Sequence, residues 1–291
     1  MAVAKQDDFY ADPLIYDVLH APGTGDEVDA LLAVARKHLP RCVHGGVRFF
    51  EPACGTGRFL IDLARKGHVG VGLDLSEPMI AFANQRAALL PPGRRARFFV
   101  GDMTRFRLDE PADAAFCTIN SIRHLMTDRH MLAHLACTAR ALKPGGVYIV
   151  GIETAEPAFA QPSEDVWMGR RRTATTSIRV KQVVQYLPPA VSPKSGKPRP
   201  GARAEQVIST MVINQDGQER QIDSTYVLRT YTHAQWLALI AKAGWRVEAI
   251  YNAEGVPRPE ATLGYYLWVI SPAAGARDTR RARQPKSPSV K

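Results

Sequence analysis

The sequence predicts an α/β protein: an open, parallel sheet with an antiparallel β insertion after its fifth strand. Three observations carry this. Between Val47 and Ile152, short apolar runs alternate with helical patterns, as βαβ units require. An acid stands at or just beyond the end of each of the first three runs: Glu51, Asp74 and Asp102. After Glu153 the pattern changes to Val, Ile, Thr and Tyr at alternating positions, which suits antiparallel strands.

The elements follow in order. Val47–Glu51 reads as the first strand, and Phe59 to Lys66 as its helix, stopped by Gly67. Val69–Asp74 is the second strand. Ser76 caps the next helix, which runs to Leu90 and is broken by Pro91-Pro92. Arg97–Val100 and Ala114–Thr118 are the third and fourth strands, with too little chain between them for a full helix. Asp128 caps a helix to Leu142, Lys143-Pro144-Gly145-Gly146 stops it, and Val147–Gly151 is the fifth strand. The insertion contributes Thr176–Tyr186, Val207–Asn214 and Ile222–Arg229. Thr232 and Gln235 form a capping box for a helix through Ala243, closed by Gly244. Trp245–Tyr251 and Leu263–Ile270 are placed to pair as a hairpin. Upstream, Asp29–Leu39 is a helix preceded by the aromatic segment Phe9 to Asp17.

This order divides the chain into an aromatic lid segment (1–28), an α/β core (29–152) and a β-rich cap (153–230) containing a Pro-rich loop (188–203). A helix and hairpin (231–271) complete the core, and a basic, disordered tail (272–291) follows.

Composition excludes several classes. A 45% hydrophobic and 23% charged share is that of a soluble globular chain, and no apolar stretch reaches the roughly 18 residues needed to span a bilayer. The N-terminus turns acidic at Asp7-Asp8, where a signal peptide needs an apolar core. Cys42, Cys54, Cys117 and Cys137 show neither CxxC pairing nor His at zinc spacing, so no disulfide framework and no metal site is expected. A cytoplasmic location is the expectation. The net charge of +10 lies largely in the tail (Arg277, Arg280, Arg281, Arg283, Lys286 and Lys291 against Asp278) and around Lys194–Arg203. Such segments solvate the chain. A second reading, not the favoured one, makes them a tether to nucleic acid or membrane.

In an open α/β sheet, ligands bind beyond the carboxyl ends of the strands. There the loop Ala53-Cys54-Gly55-Thr56-Gly57 brings backbone close to a ligand, and the helix start offers unpaired N–H groups to a carboxylate. Glu51 can accept from an ammonium group. Asp74, 17 residues beyond Gly57, can take both hydroxyls of a ribose. Asp102 can accept from an adenine amino group while Met103 lies against the ring. Together these select a nucleoside with an amino-acid tail, S-adenosyl-L-methionine (SAM). Leu60 stands where a dinucleotide GxGxxG loop needs glycine, and Arg58-Phe59 is not the Lys-Ser/Thr of a Walker loop.

With these motifs the chain resembles the class I SAM-dependent methyltransferases, strongly over residues 30–152 and by architecture over 231–270. Glu51–Gly57 is similar to the family's first motif, Asp74 to its second-strand acid, Gly101-Asp102-Met103 to its adenine motif, and Ala141–Gly146 to its turn before strand five. The resemblance implies a Rossmann-like, seven-stranded sheet with its last strand antiparallel. It further implies cofactor contacts at Leu75 and Asn120. Ala53 stands where the family has glycine, a replacement small enough to be expected to cost nothing.

The acceptor is read from the rest. Thr118–Leu125 follows strand four, and Asn120-Ser121-Ile122-Arg123 is not the Asn/Asp-Pro-Pro-aromatic run of base-amino methyltransferases. The layout resembles small-molecule N-methyltransferases, including those acting on nucleotide-linked amino sugars. His124 is the candidate base or acceptor-orienting group, with a structural histidine at a helix entry as the alternative. Tyr10 and Tyr16 are candidates to close over the cofactor. Trp167, Arg170 and Arg229, with Arg171, Arg172 and Tyr186, are candidates for an acceptor pocket; the alternative is a solvated basic face. The expected reaction is in-line methyl transfer to an amine or hydroxyl of a small molecule. An RNA or protein methyltransferase tethered by the tail, and a non-catalytic SAM-binding protein, are the other readings.

Overall fold

The computed structural model describes residues 10–39, 46–156, 161–189 and 203–273. Its large sheet is built from β1 (Arg48–Pro52), β2 (Val69–Asp74), β3 (Arg95–Val100), β4 (Ala112–Cys117), β5 (Leu142–Thr154), β10 (Trp245–Tyr251), β11 (Pro257–Arg258) and β12 (Gly264–Pro272), in the order β11-β10-β12-β5-β4-β1-β2-β3. The five strands from β3 to β5 are parallel, and β12 runs antiparallel to β5. The expected seven strands are present. The eighth, β11, is a two-residue edge piece too short to leave a sequence pattern.

Period-two alternation sends adjacent residues to opposite faces of the parallel strands. Phe49 joins Leu31, Leu60 and Ala83 on one face, under α2 (Thr24–His38), α3 (Arg58–Arg65) and α4 (Glu77–Ala88). Phe50 joins Leu135, Trp236 and Trp268 on the other, under α5 (Asp128–Ala141) and α6 (His233–Lys242). Each of these fully buried Phe side chains is worth roughly 2–3 kcal/mol. Thr127, not Asp128, is the cap of α5: its side chain accepts from His130 N. The expected capping box on Thr232 and Gln235 is present.

The insertion folds as a second sheet, β6 (Ser163–Arg172), β7 (Ser177–Leu187), β8 (Ala204–Gln215) and β9 (Gln218–Arg229), paired antiparallel in sequence order. It leaves the core after β5 and returns before α6, and the two junctions meet: Ala155 N–H donates to Tyr231 O at 3.0 Å. Strand β6 carries no alternating pattern because most of it is exposed, so the sequence reading passed over it. A second unforeseen element is α1 (Pro13–His20), capped by Asp12, which buries Ile15, Val18 and Leu19 against Ile178, Val180 and Met211.

Two contacts fix α1. Gly169 of β6 meets its backbone directly, since a Cβ there would stand 2.1 Å from Val18 O. The Asp17 carboxylate is buried and accepts from Arg86 of α4 (2.6 Å), Arg171 of β6 (2.5 Å) and Thr56 Oγ1 (2.9 Å). One acid thus joins the N-terminal helix, the large sheet's helical layer and the insertion. Most of the Pro-rich loop and of the basic tail, together with Cys42, lies outside the described residues. Among the described residues no helix is long and apolar enough to cross a membrane, and no group of side chains could hold a metal ion.

Candidate active site

Glu51 is the next-to-last residue of strand β1, after which the chain turns sharply through Ala53 (φ 56°), Gly55 (φ 51°) and Gly57 (φ 69°) into α3. Cys54 N–H donates to Leu73 O and Gly55 N–H to Asp74 Oδ2 (2.8 Å), which ties the loop to the end of β2. Gly57 is obligatory for packing as well as for φ: a Cβ there would lie 2.5 Å from the Phe98 ring. Ala53 corrects an expectation. Held in the left-handed region, an alanine costs roughly 1–2 kcal/mol relative to a relaxed backbone, so its presence at the family's glycine position is not free.

Glu51 is buried, and its Oε2 has no hydrogen-bond partner. Burial, reinforced by Asp74, raises its pKa well above the usual carboxylate value despite the opposing pull of Arg58. A buried acid kept without a partner fits an ammonium group arriving from outside. Asp74 accepts from Gly55 and Ser76 backbone N–H, one on each oxygen, leaving each a further lone pair. The register pairs Asp74 with Val100, so Asp102 follows two residues beyond the end of the neighbouring strand.

This outer shelf is open. Leu75 is 70% exposed, and Asp102 is exposed, its Oδ1 engaged by Thr104 N and Oγ1. Met103 differs from expectation: its side chain belongs to the core beneath the sheet, and its carbonyl accepts from His134 Nδ1 (2.9 Å). The residues present fit the nucleoside and amino-acid parts of SAM.

Beyond the loop lies a cavity of about 380 Å³, roofed by the insertion. Glu51, Ala53, Cys54, Gly55 and Asn120 line it together with Tyr10, Tyr16 and His124. The chain after β4 is strained here, with Ile119 (φ 57°) and Asn120 (φ 61°) both left-handed. Tyr265 Oη holds Ile119 N–H, and Asn120 Oδ1 holds Glu153 N–H. His124 ends the short 3-10 turn Ser121–His124. Its Nε2 lies 3.4 Å from Tyr10 Oη, and its ring stacks on Tyr226 with centroids 5.8 Å apart. Burial, then Arg123, lowers its pKa to about 4, so the imidazole is neutral at pH 7. His20 behaves likewise.

The expected acceptor residues divide. Trp167 lines the cavity, its ring 5.7 Å from that of His20. Arg170 and Arg229 do not line it. Arg170 is exposed on β6, whereas Arg229 is buried against the Tyr231 ring and paired with Asp128 at the start of α5. The sequence reading missed Arg58, Glu153, Asp165, Glu205 and Tyr226. Alternation alone marked the faces of β8 and β9, without saying which one looks inward.

Residues 49–146 match a family described as "Methyltransferase domain". A dTDP-3-amino-3,4,6-trideoxy-alpha-D-glucopyranose N,N-dimethyltransferase of Streptomyces venezuelae is 29% identical over 211 residues, 71% of this chain and 77% of the relative. The crystal structure of Streptomyces venezuelae DesVI superposes with a TM-score of 0.67 at 23% identity, covering 94% of this chain and all of that one. SAM-bound CalS10, an amino pentose methyltransferase from Micromonospora echinaspora, superposes with a TM-score of 0.61 at 21% identity, over 84% and 91% of the two chains. Residues 49–146 thus form a methyltransferase domain, and the parallel sheet with its reversed strand beside β5 is shared with solved SAM-dependent methyltransferases.

Proposed function

We propose that this enzyme methylates an amino group of a sugar-sized molecule held between the β1 loop and the insertion. The observation that carries the reading is the cavity itself, which is lined by the Glu51 loop, by Tyr10 and His124, and by strands of the insertion. The relatives' names support an amine: two further relatives, a dTDP-3-amino-3,6-dideoxy-alpha-D-glucopyranose N,N-dimethyltransferase and a dTDP-4-amino-2,3,4,6-tetradeoxy-D-glucose N,N-dimethyltransferase, match at 32% and 28% identity over about half their length.

In this reading Glu51 takes the cofactor's ammonium, the loop Ala53–Gly57 lies along its amino-acid tail, and Asp74 takes ribose hydroxyls. Leu75, Asp102 and the Met103 backbone flank the base, while Asn120 shapes the sulfonium end. SAM supplies a methyl group on a positively charged sulfur that is already a good leaving group. The protein therefore chiefly has to align the nitrogen lone pair with that methyl and exclude water, which contributes about 7–11 kcal/mol. With SAM held there, transfer would make the N–C bond as the S–C bond breaks, the S–C electron pair going to the neutral sulfur of the product. His124, neutral and beside Tyr10, takes the proton the nitrogen loses. Residues 10–28 act as the lid and 153–230 as the acceptor cap.

The test is incubation of the full-length protein with SAM and a panel of amino sugars, their hydroxyl analogues and RNA, followed by mass spectrometry. A gain of 14 Da per methyl on amines alone is the expected outcome. Transfer to the hydroxyl analogues or to RNA alone would overturn the reading.

A further inference from the structure

Besides Glu51, three carboxylates line the cavity, Glu153 from β5, Asp165 from β6 and Glu205 from β8, near enough for the last two to act on Glu153. Among the described lining residues the one guanidinium is Arg58, at the loop end. Behind the acidic wall Arg123, 3% exposed, pairs with both Glu153 and Glu205 and offsets one of the three charges. Asp165 has no ion pair among the described residues. His20 and His124 are neutral, so they add no compensating charge. Burial, and next to it the neighbouring acids against Arg123, leaves Glu153 with a raised pKa, as expected of carboxylates that share one chamber.

An independent feature points the same way. Aromatic rings frame the chamber: Trp167 beside His20 (5.7 Å), Tyr10 beside Tyr16 (5.8 Å), and Tyr226 stacked on His124. Ring faces attract cations, and a chamber combining them with carboxylates is suited to an ammonium group. In the same cavity the buried Glu51 Oε2, which has no hydrogen-bond partner, also suits a cation. At about 380 Å³ the cavity is at the small end of ligand pockets, which run roughly 300–1,000 Å³, so it has room for one ring besides the cofactor's tail.

We infer that the acceptor is a free, multiply cationic amino sugar or aminocyclitol, with one amine presented at Tyr10 and His124 and a second, as ammonium, on the Glu153–Asp165–Glu205 wall. This rests on the amine reading above, and departs from the nucleotide-linked sugars in the relatives' names. A nucleoside diphosphate would bring two acidic phosphates to a wall that repels them.

The experiment is calorimetric titration of the full chain, saturated with S-adenosylhomocysteine, with three probes at pH 7: 2,6-diamino-2,6-dideoxyglucose, glucosamine and dTDP-3-amino-3,6-dideoxyglucose. Asp165→Asn and Glu205→Gln are titrated alongside, Asp165 being exposed and so safe for folding. The diamine should bind at least tenfold more tightly than glucosamine, with the nucleotide sugar weakest, and Asp165→Asn should cut that margin below threefold. Equal binding of diamine and glucosamine, tighter binding of the nucleotide sugar, or an undiminished margin in both variants overturns the inference. The same samples with SAM separate it from the reading beneath. Methylation of any probe sustains amine transfer even if the ranking fails. The predicted ranking with no methylated product keeps the charge assignment and removes amine transfer. Binding of none of the three overturns both.

Discussion

At the residue scale, Glu51 sets function against stability. Its buried carboxylate, with Oε2 unpartnered, is a cost to the empty protein that a bound cation or a proton removes. Glu51→Gln should therefore weaken S-adenosylhomocysteine binding roughly 10- to 100-fold, the worth of a hydrogen bond to a charged group, while raising the midpoint of thermal unfolding without ligand. Calorimetry and a melting curve on the same sample check both. His124 is neutral across pH 6–9, its pKa lying near 4. The kcat of the wild type should show no histidine titration in that range and rise only as the acceptor amine loses its proton. His124→Ala should lower kcat about 10²-fold at every pH while leaving cofactor affinity within threefold, since alignment carries more of the rate than one base does. Full activity in His124→Ala would leave His124 as a structural histidine. Ala53→Gly should stabilise the fold by up to about 1 kcal/mol in urea denaturation, because glycine relieves the left-handed strain.

At the scale of elements, α1 is held by Gly169 and Asp17 rather than by its own length, since eight residues are too few for a stable isolated helix. Gly169→Ala, with a Cβ 2.1 Å from Val18 O, should release α1 and expose the segment before residue 24 to limited proteolysis, while the large sheet stays folded by circular dichroism. The parallel strands and their helices were legible because each buries a regular stripe and ends in a cap or a glycine. Helix α1 was not: its aromatic residues suggested a lid, but nothing local says that Asp17 will meet Arg86 and Arg171, which lie 69 and 154 residues away. Strand β6 was not legible for the opposite reason, that exposure erases period-two alternation. The site divides along the same line. The places of Glu51, the small-residue loop, Asp74 and Asp102 were legible because strand ends fix them. Glu205 and Tyr226 escaped because their inward direction is decided by how the second sheet docks. Arg229 misled because a basic residue at a strand end serves as well to pair with Asp128 as to face a ligand.

At the scale of the whole molecule, histidine burial sets the acid limit of stability. His134 is wholly buried between Met103 O and Tyr148 Oη (2.7 Å), and burial lowers its pKa from 6.5 to about 4. The unfolded chain takes up that proton first. The stability this confers is complete above pH 6.5 and is lost as the pH falls towards 4, by about 3 kcal/mol for His134. Glu51 works in the opposite sense, since its raised pKa makes acid relieve it. Urea titrations at pH 7.5 and 4.5 should show the loss, and Glu51→Gln should show it more steeply. The hydrogen bond between Ala155 and Tyr231 has a different consequence. Because the insertion departs and returns at a single pinch point, its length and sequence are almost uncoupled from the register of the large sheet. Closing a longer or shorter excursion there changes the chain entropy by only about 0.6 kcal/mol per doubling. The matched segment ends at residue 146, before this point. In the proposed reading the insertion, which would choose the acceptor, can thus vary in length and sequence while the matched segment keeps its register, provided that each new excursion brings its own seat for α1.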